Sequence, residues 1–556
     1  MVRERKMKQR KLTYAAQALL TTLVVLGIIV IINGISVRKF VRWDLTESKQ
    51  YTISDSTKNV LSKLDDIITI KLYFSKNLPP VMRIREQQVK DLLDEYRAYS
   101  GGNIVVKRED PGEDEELARQ VQSIGIPQVQ MTFREKDKVE VKNGYLGIGI
   151  FYETKHEVLP IVQNVDNLEY DLTSAIKKVV METIPTVGFL TGHGERDINK
   201  DYALIKGAID QQYETKTVSL ENGQLVSDEI DTLIIGGPRT DFSERDLFAI
   251  DQFVMRGGKL MVLLDMAELN LEMGLIATPL NLSINKLLES YGIKVNNDMV
   301  LDRFNDRLTY SESPNNVVQY ITTVNYPYFV KAFKQNFDTT NPIVRGLETL
   351  TFPWTSSIDL IERKVKDASV IKLVQSSENA WTQKGRYDLN PKQDFNVPPD
   401  QEAQYILAAI VENSFSSYFA GKEIPPAQKS EETPEQAEPP AEQSEPEQII
   451  EYSPTTNIMV IGGSYFITTD SLRRFNSNAV FFLNAVDWLT QGEDLIGIRT
   501  RNVTERPVRE LSEKVISFIK FINIFGVSLM VISAGLFRMY WRKREKRMYE
   551  TMISKS

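Results

Sequence analysis

TVGFLTGHGERD, Thr186 to Asp197, decides how the chain is read. A short run rich in β-branched and aromatic residues breaks into a glycine-rich turn, as a buried strand does at the carboxyl edge of an open α/β sheet. A helix over 201–212 is expected next. The pattern then recurs as a strand from Thr232 to Ile235 that ends at Gly236-Gly237-Pro238, a helix from Glu244 to Arg256 and a strand from Lys259 to Leu264. Strands alternating with helices in this way predict a doubly wound parallel sheet. Aromatic and alternating runs between 313 and 375 predict antiparallel additions, and the strand Asn457 to Ile461 with the helix Ala479 to Thr490 returns to the main sheet.

Upstream, strand and helix patterns also alternate. Ile67 to Phe74 (IITIKLYF) is an expected strand, Met82 to Tyr99 a helix, Asn103 to Lys107 a strand and Glu113 to Ser123 a helix, with strands near 129–133 and 145–152. This is an α/β unit with some parallel pairing. Its Ile126-Pro127 step resembles the proline corner of thioredoxin-like folds, but the chain has no cysteine, so such a unit is a scaffold without thiol chemistry. The same absence excludes disulfides, a thiolate nucleophile, zinc ribbons and iron-sulfur ligation. Only His156 and His193 carry an imidazole.

The net charge of −8 is unevenly spread, with +5 on each of the ends 1–11 and 538–556 and −18 on the remainder. Mild acidity without a basic face argues against nucleic-acid binding. Next to the basic ends lie two apolar stretches, the second interrupted by Lys520. Residues 12–37 have a dense apolar centre (ALLTTLVVLGIIVII, Ala18 to Ile32), and residues 515–537 contain FINIFGVSLMVISAGLF. Both read as transmembrane helices, with a cleaved signal peptide and a short core helix as the alternatives. Two spans with basic ends predict a membrane protein in contact with the lipid bilayer, both termini cytoplasmic and the large domain extracytoplasmic. No phosphate-binding loop of the G-x-x-x-x-G-K-[ST] kind occurs, so any transport energy has to come from a partner. Pro425 to Gln448 holds six prolines and seven glutamates and reads as a solvated acidic insertion.

The best candidate site is the turn Gly192, His193, Gly194, Glu195 and Arg196. His193, Glu195 and Asp197 contain metal-ligating and general-base groups, yet no second histidine or nucleophile stands near them, so a tight turn with His193 and Glu195 hydrogen-bonded to loop backbone, or a ligand or partner contact, is favoured over catalysis or a metal. Gly462-Gly463-Ser464-Tyr465-Phe466 follows a strand as a G-x-S-x-G nucleophile elbow does, but Phe466 stands where the last glycine is needed. No catalytic residue, metal ligand or cofactor is assigned.

In order along the chain, Arg42-Trp-Asp-Leu-Thr-Glu with Tyr51-Thr-Ile-Ser, Phe189-Leu-Thr-Gly-His-Gly-Glu, Ile235-Gly-Gly-Pro and Asn478-Ala-Val-Phe-Phe-Leu-Asn-Ala-Val-Asp-Trp-Leu resemble the GldG-like family of ABC-transporter auxiliary proteins. The resemblance implies an ectodomain similar to noncatalytic glutamine-amidotransferase-like and intraflagellar-transport domains, working beside an ATPase and a permease. It places the chain in a bacterial inner membrane, and with the organisation read above it gives a thioredoxin-like α/β domain over 38–165 and an amidotransferase-like domain over 166–510 with the insertion 425–448. The expected function is a non-enzymatic auxiliary subunit that binds cargo or an envelope partner and couples it to the permease and ATPase. A hydrolase or metalloenzyme using the His193 turn, or an ATP-independent scaffold for gliding or surface-polymer machinery, is the alternative.

Overall fold

The computed structural model describes residues 52–499, apart from 136–137, 163–164, 166, 271–274, 313–319, 386, 396–398, 428–447 and 493–495, together with the helix over 513–553 and Thr22, Val24, Gly27 and Ile28. The chain divides into two compact units, 1–504 and 505–556.

The first unit is mixed α/β with several sheets. A four-stranded sheet runs in the order Ile104–Glu109, Ile68–Phe74, Leu146–Tyr152 and Lys155–Leu159. Its first pair is parallel, bridged by the helix Pro80–Tyr99, and the other two pairings are antiparallel. The larger sheet has nine strands, and five of them are parallel neighbours: Glu214–Ser219, Thr186–Thr191, Thr232–Gly236, Lys259–Leu263 and Tyr452–Ile461. Numbered along the chain, these five lie in the order 2-1-3-4-5, which puts the reversal of winding between Thr186–Thr191 and Thr232–Gly236.

The period of two along each strand sorts side chains to the two faces. On Lys259–Leu263, Met261 and Leu263 join one core with Ile205, Ile209, Phe481 and Val486, while Leu260 and Val262 join the other with Phe248, Ile250 and Val254. Helices therefore cover both sides of the sheet, which explains why its strands read as continuous apolar runs. Ile406–Ser416 pairs antiparallel with Tyr452–Ile461, so the acidic insertion joins two neighbouring strands of one sheet; most of 425–448 lies outside the described residues. Antiparallel additions include a three-stranded sheet of Asn305–Glu312, Tyr320–Phe333 and Thr349–Pro353.

The polar residues of the helix Ser477–Gln491 are core tethers. Asn478 is fully buried; its amide donates to Thr351 O at 2.7 Å and Phe466 O at 3.0 Å, and its Oδ1 accepts from Thr351 N at 3.1 Å. Asn484 donates to Ile343 O at 3.0 Å and Asp487 accepts from Tyr213 Oη at 2.8 Å. The helix thereby hydrogen-bonds the middle of Thr349–Pro353, the turn after Tyr452–Ile461 and the approach to Glu214–Ser219.

The expectation of two transmembrane helices is corrected: among the described residues no helix is long and apolar enough to cross a membrane. The second unit is the helix Glu513–Ile553, 41 residues long. Its longest uncharged run, bounded by Lys520 and Arg538, has 17 residues, and at about 1.5 Å each these fall short of a ~30 Å hydrocarbon core. The expected first span, 12–37, lies outside the described residues except for the four positions named above. The two-span inner-membrane placement, with its bilayer contact, falls with these helices.

Asn478→Ala strips three backbone groups of their partner in a dry core. It is expected to cost about 3 kcal/mol of stability, read as a lowered midpoint in chemical denaturation with an unchanged slope.

Candidate functional site

In open α/β sheets of this winding, ligands usually enter the crevice at the carboxyl ends of the strands on either side of the reversal. The turn read from the sequence occupies that place. It begins at Gly192, whose φ of +117° suits a residue without Cβ, and continues through Gly194 at φ +73°.

Backbone hydrogen bonds close the crevice. Arg196 N–H donates to Gly236 O at 3.0 Å, and the N–H groups of Arg239 and Thr240 donate to His193 O at 2.8 and 2.9 Å. The segment after the first parallel strand is thus bonded directly to the segment after the third.

His193 fastens the same junction from its side chain. Its ring stacks on Phe242, with centroids 4.0 Å apart and planes 12° from parallel. Nε2 lies 3.2 Å from Asp246 Oδ2, and Nδ1 lies 3.3 Å from Glu195 Oε1 in an ion pair outside hydrogen-bond alignment. The other oxygen of Glu195 accepts from His193 N at 2.7 Å. Burial by itself disfavours a charged imidazole, but the hydrogen bond to Asp246 and the adjacent Glu195 carboxylate outweigh it and raise the His193 pKa to about 9. Asp246 is correspondingly held below the usual carboxylate range: burial opposes this, and the bonds from His193 and Ser243 prevail.

Asp246 has a second duty. With Ser243 it forms the capping box of the helix Glu244–Met255, so the carboxylate that meets His193 also satisfies that helix's first turn.

Arg196 points the other way, toward the fourth and fifth parallel strands. Its guanidinium lies 3.7 Å from the Tyr465 ring centroid, its Nε donates to Ser464 Oγ at 2.7 Å and Nη2 lies 3.6 Å from Asp265 Oδ2. Asp265 in turn accepts from Ser464 N at 2.6 Å and from Ser464 Oγ. The ends of three parallel strands, Thr186–Thr191, Lys259–Leu263 and Tyr452–Ile461, are therefore joined by this buried network.

The expected residues divide accordingly. His193 and Glu195 meet each other, Arg196 meets a different set, and Asp197 turns away to accept from Asn199 N at 2.7 Å and Lys200 N at 3.1 Å. Among the described residues no group of three or more His, Asp or Glu is arranged to hold a metal ion. Ser464 has no imidazole beside it: His193 sits between two carboxylates, and His156 stacks on Phe151 at 6.0 Å. Gly462, two residues before it, is there for packing, because a Cβ on Gly462 would lie 2.0 Å from Ser356 O. Sequence reading missed Asp246 and Asp265, and named Tyr465 only within the run after the Asn457 to Ile461 strand. A capping-box pattern at Ser243 to Asp246 was visible, but nothing local shows that its carboxylate faces His193.

Comparison with known proteins follows from this fold. The family model described as an ABC-type uncharacterized transport system (ABC_transp_aux) matches residues 184–485, and that of a domain of unknown function (DUF7088) matches 47–150. An uncharacterized protein of Borreliella burgdorferi is 25% identical over 533 residues, spanning 93% of this chain and 96% of its own. Among solved structures, the mmIFT52 N-terminal domain aligns over 55% of this chain and 98% of its own at 14% identity and a TM-score of 0.32, too low to carry an argument.

Because the folded pKa of His193 lies above its value near 6.5 in an unfolded chain, its stabilisation is complete below about pH 6.5 and is lost as pH rises through about 9. Melting His193→Gln beside the parent chain is expected to show a gap of about 1–2 kcal/mol near pH 6 that narrows toward pH 10. Gly462→Ala is expected to lose about 3 kcal/mol or more, seen as a depressed Tm or insoluble protein.

Proposed function

The chain belongs to the ABC-type uncharacterized transport system family, and on that premise we propose that it is a non-catalytic auxiliary subunit of an ABC transporter. It associates with the ATPase and permease, binds cargo or a further partner, and couples that binding to their nucleotide-driven movements. Within the family we assign it to the GldG-like type, on the ordered motifs from Arg42 to Leu489 quoted above.

The observation that supports a binding role over chemistry is the closure of the switch-point crevice by His193, Arg196, Arg239 and Thr240. A general base has to release and accept a proton near the working pH. His193 instead stays protonated, with a carboxylate on each ring nitrogen. Ser464 is held by Asp265 and Arg196 rather than activated by a base.

What the turn offers outward is the exposed rim formed by Gly192, Gly194, Asp197 and the neighbouring Arg239. We assign this rim to partner contact. A rigid rim suits the role, because a partner then meets a surface whose ordering cost is already met by folding.

Affinity purification of the tagged full chain from its own cells, after gentle solubilisation, tests the reading. An ABC ATPase and a multispan permease are expected to be recovered with it in fixed ratio. Recovery of the chain alone, with both proteins present in the extract, would overturn the proposal. Arg239→Glu is expected to reduce that recovery several-fold at an unchanged Tm.

A further inference from the structure

We propose that a cavity between the strand Lys155–Leu159 and the helix Leu168–Val180 binds a primary ammonium group carried on an aliphatic stem. The cavity encloses about 630 Å³, within the range of small-molecule sites. It is separate from the switch-point turn and is not needed for the auxiliary role.

One wall is the strand and the residues that follow it to Val162. The opposite wall is the helix face carrying Asp171, Ser174, Ala175 and Lys178, whose spacing of three, four and seven puts them on one side of the helix. Charge in the cavity is unbalanced. Lys178 Nζ lies 3.2 Å from Glu157 Oε1, so these two neutralise each other. Asp171 has no cation beside it among the described residues, and burial alone pushes its carboxyl up to about 6. At neutral pH it is an ionised group that has lost part of its hydration and gained no counterion, which an arriving cation would offset.

Two further observations specify the cation. Ser174 lines the cavity, is only 8% exposed, and its Oγ has no hydrogen-bond partner. A primary ammonium has three N–H donors, enough for the Asp171 carboxylate and this hydroxyl together. The rest of the lining is largely aliphatic: Leu168 and Ala175 are buried, and Ile161 is left 39% exposed, a surface that a methylene stem would cover. An anion finds no free positive group there, because Lys178 is already paired.

The ammonium has two chemical sources, a free alkylamine or a lysine side chain. The second is suited to the place, because Lys155–Leu159 is an edge strand paired on one side only, with Leu146–Tyr152, among the described residues. An extended segment added along that edge would carry alternate side chains toward the helix.

The test is calorimetric titration of the full chain with n-hexylamine, n-hexanol and Nα-acetyl-lysine-N-methylamide. At about pH 7.5, hexylamine or the lysine derivative is expected to bind at least tenfold more tightly than hexanol, with that preference lost near pH 5 as Asp171 takes up a proton. Besides Asp171, the ionisable groups at or near the cavity are Glu157 and Lys178, which remain paired, and the Tyr96 phenol, which burial keeps neutral. Asp171→Asn is expected to weaken amine binding about tenfold while melting no lower than the parent, since it removes a charge that has no partner. Binding of hexylamine alone assigns a free amine and binding of the lysine derivative alone assigns a peptide; both support the site. Equal affinity for hexanol, an Asp171→Asn chain that binds amines undiminished, or failure of both amines to bind would overturn it. The pH and hexanol comparisons use the parent chain, so they decide the question even if the variant does not fold.

Discussion

A parallel sheet whose winding reverses leaves a gap where the two loops beside the reversal depart in opposite directions. Backbone groups lining such a gap need partners, and a ligand commonly supplies them. Here the protein supplies its own. Arg196 N–H reaches Gly236 O, the N–H groups of Arg239 and Thr240 reach His193 O, and an imidazolium between Glu195 and Asp246 locks the closure. The stacked ring of Phe242 and the capping box of the following helix depend on the same few atoms.

This closure has a functional cost and a structural return. Groups that elsewhere serve catalysis are committed to internal bonds, and the ends of three parallel strands are joined through Arg196, Ser464, Asp265 and Tyr465. Buried polar residues do similar work deeper in the unit. Asp251, fully buried, accepts from Tyr291 Oη at 2.7 Å, Ser417 Oγ at 2.7 Å and Tyr418 N at 2.8 Å, tying a covering helix to the end of an antiparallel strand. Asn478 does the same on the opposite face. Such groups stabilise only when fully satisfied, so they favour one arrangement of helices over others of similar apolar burial.

Much of the main sheet was legible because its strands are buried on both faces. TVGFL, TLIIG and KLMVL have no polar alternation, and each ends at glycine or a turn. Other strands of that sheet were not legible, two long ones among them. Glu214–Ser219 lies at the edge and is mostly polar, while Ile406–Ser416 begins with Ile-Leu-Ala-Ala-Ile-Val, an apolar run that suits a buried helix as well as a buried strand. The motif containing Asn478, Asn484 and Asp487 was recognisable as a helix, but its polar residues acquire meaning only from Thr351, Ile343 and Tyr213, which lie 127, 141 and 274 positions away. The apolar stretch near the C-terminus was read as a span on composition, and its 17-residue uncharged run proved too short.

The sequence by itself determined the class of the chain: alternating strands and helices, a glycine-rich turn at a strand end, two histidines and no cysteine. These properties are local, set by periodicity, backbone freedom and residue chemistry. Only the tertiary structure decided what the turn does. Whether His193 is a base, a ligand or a clamp depends on which carboxylates face it, and Asp246 is 53 positions distant. Two residues far apart in sequence meet only after the sheet has wound and the helices have docked, so the protonation state of the imidazole is a property of the fold.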